Sequence, residues 1–230
     1  MISTGQYAEA EALLSKGIER GRGAKVLLAQ DPDAVDMTQL NAYRFRASAR
    51  YELDDIDGAL ADHTAAIELC PTLARLWVER GETYYLEARL DEALVDFDQG
   101  LTCDPESIKG LLYRAYCRRE AGDAEGAEAD LTTLIGIAPE VGLVYLDRAR
   151  LRHQRGELEL ALADYDKHLE LEPDSAEGLA WRGQLYIDTQ RYEQAVADLA
   201  RALEVWPGQA EGKEGVEESL KNLRAFLSKR

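Results

Sequence analysis

Residues 192–207 read YEQAVADLARALEVWP. Alanine and leucine recur at helical spacing, with no glycine and no β-branched run, so the stretch reads as a helix that Trp206 and Pro207 stop. The same ending recurs upstream, in LELALADYDKHLELEP at 158–173, AEGAEADLTTLIGIAP at 124–139, LDEALVDFDQGLTCDP at 90–105 and IDGALADHTAAIELCP at 56–71. Pro71, Pro105, Pro139, Pro173 and Pro207 are therefore 34 residues apart each time. Proline has no backbone N–H and biases its predecessor away from the helix, so each one closes a helical unit. A strict period of this length signals a repeat architecture.

With the proline at position 32 of a 34-residue unit, the repeats run 40–73, 74–107, 108–141, 142–175 and 176–209. Each holds two helical stretches joined by a short polar turn such as LDDID, EAGDAEG or QRGEL, a length that forces an antiparallel hairpin. Position 4 is large (Tyr43, Trp77, Leu111, Tyr145, Leu179) and position 8 is small (Ala47, Gly81, Ala115, Ala149, Gly183). Position 20 is always alanine: Ala59, Ala93, Ala127, Ala161 and Ala195. Small residues on facing helices let the backbones approach closely. Position 7 is always arginine (Arg46, Arg80, Arg114, Arg148, Arg182) and position 23 always aspartate (Asp62, Asp96, Asp130, Asp164, Asp198). With the turn near position 15, these two face each other. The reading is a structural ion pair in every repeat rather than a row of anion-binding arginines. A half-buried guanidinium needs a partner, and its fork fits a carboxylate.

The large residue at 4, small residue at 8, aromatic at 11 (Tyr84, Tyr186), alanine at 20, aromatic at 24 (Phe97, Tyr165) and proline at 32 resemble the tetratricopeptide repeat family across 40–209. The resemblance implies an all-α fold, a right-handed α-solenoid of five helix pairs whose first helices line a concave face, and a role in binding other proteins. Two departures predict looser interfaces: arginine at position 11 in three repeats (Arg50, Arg118, Arg152), and Gly100 and His168 at position 27. Residues 1–39 read as an N-terminal half-repeat and connector, with YAEAEALLSKG at 7–17 as a second helix lacking its first. The following GRGAKVLLAQDPD either extends that helix or forms a short one. Residues 210–230 carry Val216, Leu220, Leu223 and Leu227 on one stripe, as a C-terminal capping helix would.

The 230 residues carry a net charge of −17, so nucleic acid and anionic membranes are not expected partners. No apolar run reaches the length of a membrane span. MISTGQYAEAEALL has no basic region before an apolar block, and Cys70, Cys103 and Cys117 form no CxxC pair. Buried free thiols, no signal peptide and a cytoplasmic location are therefore expected. No HExxH, GxSxG, P-loop or EF-hand pattern occurs, and His63, His153 and His168 fall at unrelated positions. No catalysis, cofactor or metal is expected.

In the family, positions 2, 5, 9, 12 and 13 of the first helices face the groove. Here these include Arg44, Tyr51, Arg75, Tyr85, Lys109, Tyr116, Arg119, Arg150 and His153. That surface is basic relative to the whole chain and suits an extended or helical segment of a partner protein, with acidic side chains or a free carboxylate. The alternative is an ordinary solvated face of mixed charge. Chaperone-binding members clamp a C-terminal carboxylate with lysines and asparagines. The matching places hold Arg44, Ser48, Glu79, Lys109 and Tyr113, so the full clamp is not expected. The leading reading is a non-catalytic interaction scaffold. Its alternatives are the regulatory region of a larger enzyme or signalling protein, and a scaffold that self-assembles through the N-terminal half-repeat.

Overall fold

The computed structural model describes residues 4–24, 37–208 and 212–229. Among them are twelve α-helices and no strand: α1 (Thr4–Ala24), α2 (Met37–Glu52), α3 (Ile56–Leu69), α4 (Ala74–Leu86), α5 (Leu90–Cys103), α6 (Ile108–Glu120), α7 (Ala124–Ile137), α8 (Gly142–Gln154), α9 (Leu158–Leu171), α10 (Ala176–Asp188), α11 (Tyr192–Val205) and α12 (Lys213–Leu227). They form two compact units, Met1–Asp123 and Ala124–Arg230, with α6 in the first and α7 in the second. In the first, α2 pairs with α3 and α4 with α5, while α1 packs on α2 and α6 on α5. In the second, α8 pairs with α9 and α10 with α11, and α7 and α12 cover the ends. Helix α1 runs through Gly21 to Ala24, so the first residues of GRGAKVLLAQDPD extend it; residues 25–33 of that stretch lie outside those described.

One backbone device builds every hairpin. Position 15 is left-handed in all five repeats, at Asp54, Ala88, Gly122, Gly156 and Gln190, with φ between 56° and 86°. The amide at position 16 then reaches back to the carbonyl at position 11, as in Arg89 N to Tyr84 O at 2.9 Å and Arg191 N to Tyr186 O at 2.7 Å. This closes the last turn of the first helix and reverses the chain. Asp55 caps α3 by accepting from the Gly58 amide at 3.0 Å, and Ser107 and Ser175 cap α6 and α10 in the same way.

The five alanines at position 20 are fully buried, and the small residues at position 8 are buried as well. A Cβ on Gly81 would stand 2.8 Å from the Phe97 ring, and one on Gly183 would stand 2.9 Å from Leu199. In the second unit, Tyr165, Leu169, Leu185 and Leu199 continue into Val216, Leu220 and Leu223 of α12, so α12 shields the last hairpin. Cys117 is buried, and burial pushes its thiol up to about 11. Cys70 and Cys103 are only half-buried.

Arg46, Arg80, Arg148 and Arg182 each grip the aspartate of their own hairpin through two nitrogens, with Nε–Oδ2 distances of 2.7, 2.7, 2.9 and 2.7 Å. The third nitrogen, Nη1, reaches the preceding hairpin. It donates to Ser15 from Arg46, to Thr64 from Arg80, to Asp98 from Arg114, to Thr132 from Arg148 and to Asp166 from Arg182, at 2.6–3.1 Å. The guanidinium groups of Arg46, Arg80, Arg148 and Arg182 thus each bind a hairpin together and fasten it to the element before, and Arg114 makes the second of these contacts. The aspartate hydrogen bond raises the Arg46 and Arg80 pKa above the ordinary arginine value despite burial. For Arg182, burial alone would lower it, and Asp198 and Asp166 more than offset this. Arg114 and Asp130 lie in different units; Asp130 is buried in its own.

Two of the three arginines at position 11, Arg50 and Arg152, do not loosen their interfaces. Arg50 and Arg152 add a further bond to Asp62 and Asp164, at 3.0 and 2.8 Å, and Arg152 also meets Glu128 at 2.7 Å. Position 27 is also tight. A Cβ on Gly100 would meet Val78 at 2.9 Å, and the buried His168 bonds Ser175 at 2.8 Å.

Three outcomes test this account. Asp96 is 1% exposed, and among the described residues Arg80 is the one cation bonded to it. Arg80→Ala should cost about 3–5 kcal/mol in denaturant unfolding, because it strands a buried carboxylate, and Arg80→Met with Asp96→Leu should recover most of it. Arg46→Ala and Arg148→Ala should cost less, since Arg50 and Arg152 remain. Ala88→Gly should stabilise by up to about 1 kcal/mol, because only glycine takes the left-handed region without Cβ strain.

His63 is buried at position 24, its Nε2 3.3 Å from Thr83 Oγ1 and its Nδ1 without a partner among the described residues. Burial lowers its pKa to about 4, with Glu79 and Asp62 opposing and Arg80 and Arg44 assisting. Its stabilising contribution is complete above about pH 6.5 and is lost as pH falls towards 4, on the order of 3 kcal/mol in all. Melting temperatures across that range should fall more steeply for the wild type than for His63→Phe, which carries the residue type of Phe97.

Candidate partner-binding face

The first helices present one row of side chains in each unit, and these vary between repeats while positions 7, 20 and 23 do not. In the first unit, α2, α4 and α6 stand side by side. Arg44 Nε donates to Glu79 Oε2 at 2.7 Å, its Nη2 reaches Oε1, and its Nη1 reaches Asn41 at 3.1 Å. The Glu79 hydrogen bond raises the Arg44 pKa. Arg75 lies 4.0 Å from the same carboxylate. Lys109 Nζ meets Glu82 Oε2 at 2.5 Å and lies over the Tyr113 ring. Tyr85 donates to Glu120 at 2.5 Å, and burial followed by that bond pushes its hydroxyl up to about 12. Tyr85, Tyr113 and Tyr116 form a ladder of edge-on rings about 6 Å apart, with Arg119 over Tyr116. Tyr51 lines a cleft of about 300 Å³ with Ser48, Glu52, Glu79, Glu82 and Lys109, and with His63 and Thr83.

In the second unit, Arg150 bonds Glu177 at 3.2 Å and lies 4.8 Å over the Trp181 ring. His153 is pinned rather than exposed. Its Nε2 is 2.8 Å from Asp188, which also accepts from Gln184, and its Nδ1 is 3.4 Å from the buried Tyr165 hydroxyl. Trp181 and Trp206 line a cleft of about 570 Å³ beside Arg150, Glu177 and Gln184.

These contacts follow a rule. The residue at position 5 or 12 meets position 6 or 13 of the next repeat (Arg44 with Glu79, Tyr85 with Glu120, His153 with Asp188), and positions 2 and 9 of adjacent repeats meet as Lys109 with Glu82 and Glu177 with Arg150. The cations read as a basic row are therefore each set against a carboxylate, and basic residues no longer outnumber acidic ones on this face once Glu79, Glu177 and Asp188 are included. Position 6 was absent from the groove-facing positions, although Glu79 and Tyr113 entered the comparison with the carboxylate clamp. It holds Phe45, Glu79, Tyr113, Asp147 and Trp181, and its place on the helix beside positions 2, 5 and 9 is the signal that could have found it. With Glu79 held by Arg44, the face has no carboxylate clamp at that point. Among the described residues, no cluster of histidine, cysteine, aspartate or glutamate is arranged to hold a metal ion, and no helix is long and apolar enough to cross a membrane.

Comparison with known proteins places this geometry. Two models described as tetratricopeptide repeat match residues 114–176 and 176–207. DnaJ homolog subfamily C member 7 of Homo sapiens is 27% identical over 106 residues, 44% of this chain and 22% of the relative. Hsc70-interacting protein 1 of Drosophila melanogaster is 30% identical over 96 residues, 42% of this chain and 26% of the relative. The chain thus spans about a quarter of the length of these curated relatives. Among solved structures, BtubC from P. vanneervenii superposes with a TM-score of 0.72 at 15% identity, covering 90% of this chain and 96% of that one. YrrB, titled a TPR protein with an unusual peptide-binding site, gives 0.64 at 19%, covering 81% and 93%. At these identities the structures show a shared fold. The adjoining family matches, the all-helical repeat fold and the 34-residue register agree: the chain belongs to the tetratricopeptide repeat family.

Proposed function

We propose that the chain is a non-catalytic scaffold that holds an extended or helical segment of another protein across the first-helix face of its repeats. The observation that carries this reading is the division of labour along the period. Positions 7, 20 and 23 keep their residue type and bind the hairpins, whereas the first-helix face changes from repeat to repeat and is rich in tyrosine, tryptophan and arginine, the residue types that anchor interfaces. The pairs on that face are exchangeable. Arg150–Glu177 and Lys109–Glu82 each have one exposed member, Glu177 and Lys109, so a partner's charged group can replace that member at a cost of about 1 kcal/mol. YrrB, described as having an unusual peptide-binding site, and the Hsc70-interacting protein, named for its interaction with Hsc70, support the same class of activity.

In this reading, residues 40–209 are the binding array, 1–39 its N-terminal half-repeat and connector, and 210–230 its cap. Free thiols suit a reducing compartment such as the cytoplasm. A second reading, an interaction region within a larger regulatory protein, is favoured by one observation: the relatives are about four times the length that the chain covers.

The test reverses two cations of the face. Lys109→Glu with Arg119→Glu should reduce recovery of the wild-type partners at least tenfold in a pull-down, while the melting temperature moves by no more than about 3 °C, because both side chains are partly exposed and neither belongs to the buried ladder. Added salt should alter capture only slightly, since it screens the repulsion from a net charge of −17 as well as the local pairs. Undiminished recovery of the same partners would remove the face from consideration.

A further inference from the structure

Helix α1 can be placed in the repeat register by its bond to Arg46. Ser15 accepts the Nη1 of Arg46 as Thr64, Asp98, Thr132 and Asp166 accept those of the next four arginines. Ser15 therefore stands at position 25, Ala10 at the place of the buried alanines and Leu13 at the place of the five aspartates. Where the five complete repeats have a buried aspartate, this helix has a leucine that is 62% exposed. Leu13 lies in an apolar cleft with Leu14, Gly17, Met37, Ala42 and Phe45. Met37 and Phe45 are 50% and 58% exposed, and a Cβ on Gly17 would meet nothing within 4 Å. In the complete hairpins the same helix face is covered by the first helix of the repeat. Solvent contact alone would favour a polar residue at Leu13, so its apolar character marks a surface built to be covered.

We propose that a second copy of this chain covers it, with the two α1 helices antiparallel about a two-fold axis. This goes beyond the partner-binding reading above and does not rest on it. The face is self-complementary, as a two-fold interface must be. An axis between Leu13 and Leu14 sets Leu13 of one copy against Leu14 of the other and Ala10 against Gly17, small against small, so that the helices approach closely. Glu9 and Lys16 flank the same side of this face, seven residues apart, both exposed and without an ion pair among the described residues. The antiparallel arrangement brings Lys16 of each copy to Glu9 of the other, so the contact forms twice. These pairs, together with the apolar centre, must overcome the repulsion of two chains of net charge −17.

Sedimentation equilibrium of the full chain across micromolar concentrations tests the proposal. The wild type should pass from the 25.6 kDa mass to twice that mass. Leu13→Asp, which installs the residue of the complete repeats at an exposed site, should stay monomeric with unchanged helical circular dichroism. Lys16→Glu should weaken dimerisation at least tenfold, and Glu9→Lys combined with Lys16→Glu should restore it. A wild type that keeps the single-chain mass throughout overturns the proposal and leaves the face to the helix of a different protein. Dimerisation of Leu13→Asp as strong as the wild type's, or failure of the charge exchange to restore association, overturns it as well.

Discussion

Everything in this fold hangs on a guanidinium with three bonds to make. Two of its nitrogens close on the aspartate across the hairpin and the third on a hydroxyl or carboxylate of the hairpin before. Alone in a half-buried site, either charge would oppose folding by several kcal/mol. Together they tolerate burial in one arrangement only. The hairpin must have its own register and the neighbour must be stacked in its own. Apolar packing of alanine on glycine or alanine sets how close the helices come. The arginine sets where along each other they lie, and this matters in a molecule whose repeats would otherwise slide or exchange with little penalty. Specificity of this kind is a better-supported role for a buried ion pair than net stability.

The sequence revealed the parts of this plan that keep one residue type at one place. The prolines, the alanines and the facing arginines and aspartates each repeat as identities, so their period could be read. The third bond of the arginine could not. Its acceptors are serine, threonine, aspartate, threonine and aspartate, which share the capacity to accept a hydrogen bond and nothing that a residue-by-residue count registers. Arg50 and Arg152 misled for a related reason. Measured against an aromatic pattern they are departures, whereas in space they donate to the aspartate that the pattern requires. The partner-binding face was legible as a location and less so as a charge. Its cations stand in the places the family predicts, but the carboxylates that meet them come from the adjacent repeat, at spacings of 27 and 35 residues, and a count along one helix leaves them out.

Two kinds of ion pair therefore coexist in the chain. The buried ladder is repeated, shares its carboxylates among several donors and is insulated from water. The pairs on the first-helix face are singular, and Lys109–Glu82 and Arg150–Glu177 each leave one member in solvent and are individually weak. This separation lets the face change without disturbing the stack, because a substitution at Lys109 or Arg150 leaves no charge stranded in the interior. It also explains why Tyr85, Tyr113 and Tyr116 stand among the cations. Their rings supply contact area at little conformational cost, and their hydroxyls hold Glu120 and Glu82 in place between encounters.

The last rung of the ladder carries its own consequence. At position 25 of the fifth repeat, where the earlier hairpins offer an acceptor to the next arginine, the chain has Ala200. Helix α12 has Val216 at the place of the next arginine and presents it with Leu220 and Leu223 to the fifth hairpin. The change in stacking chemistry is thus matched on both sides of this junction. Grafting a sixth arginine-bearing repeat behind Pro207 would leave one guanidinium nitrogen without an acceptor unless Ala200 were first made threonine or aspartate. Excising an internal repeat would instead join a donor to an acceptor it already fits. Duplication and loss within such an array are therefore unequal events: deletion and copying inside the stack preserve every bond, while extension at this end requires a prior point change.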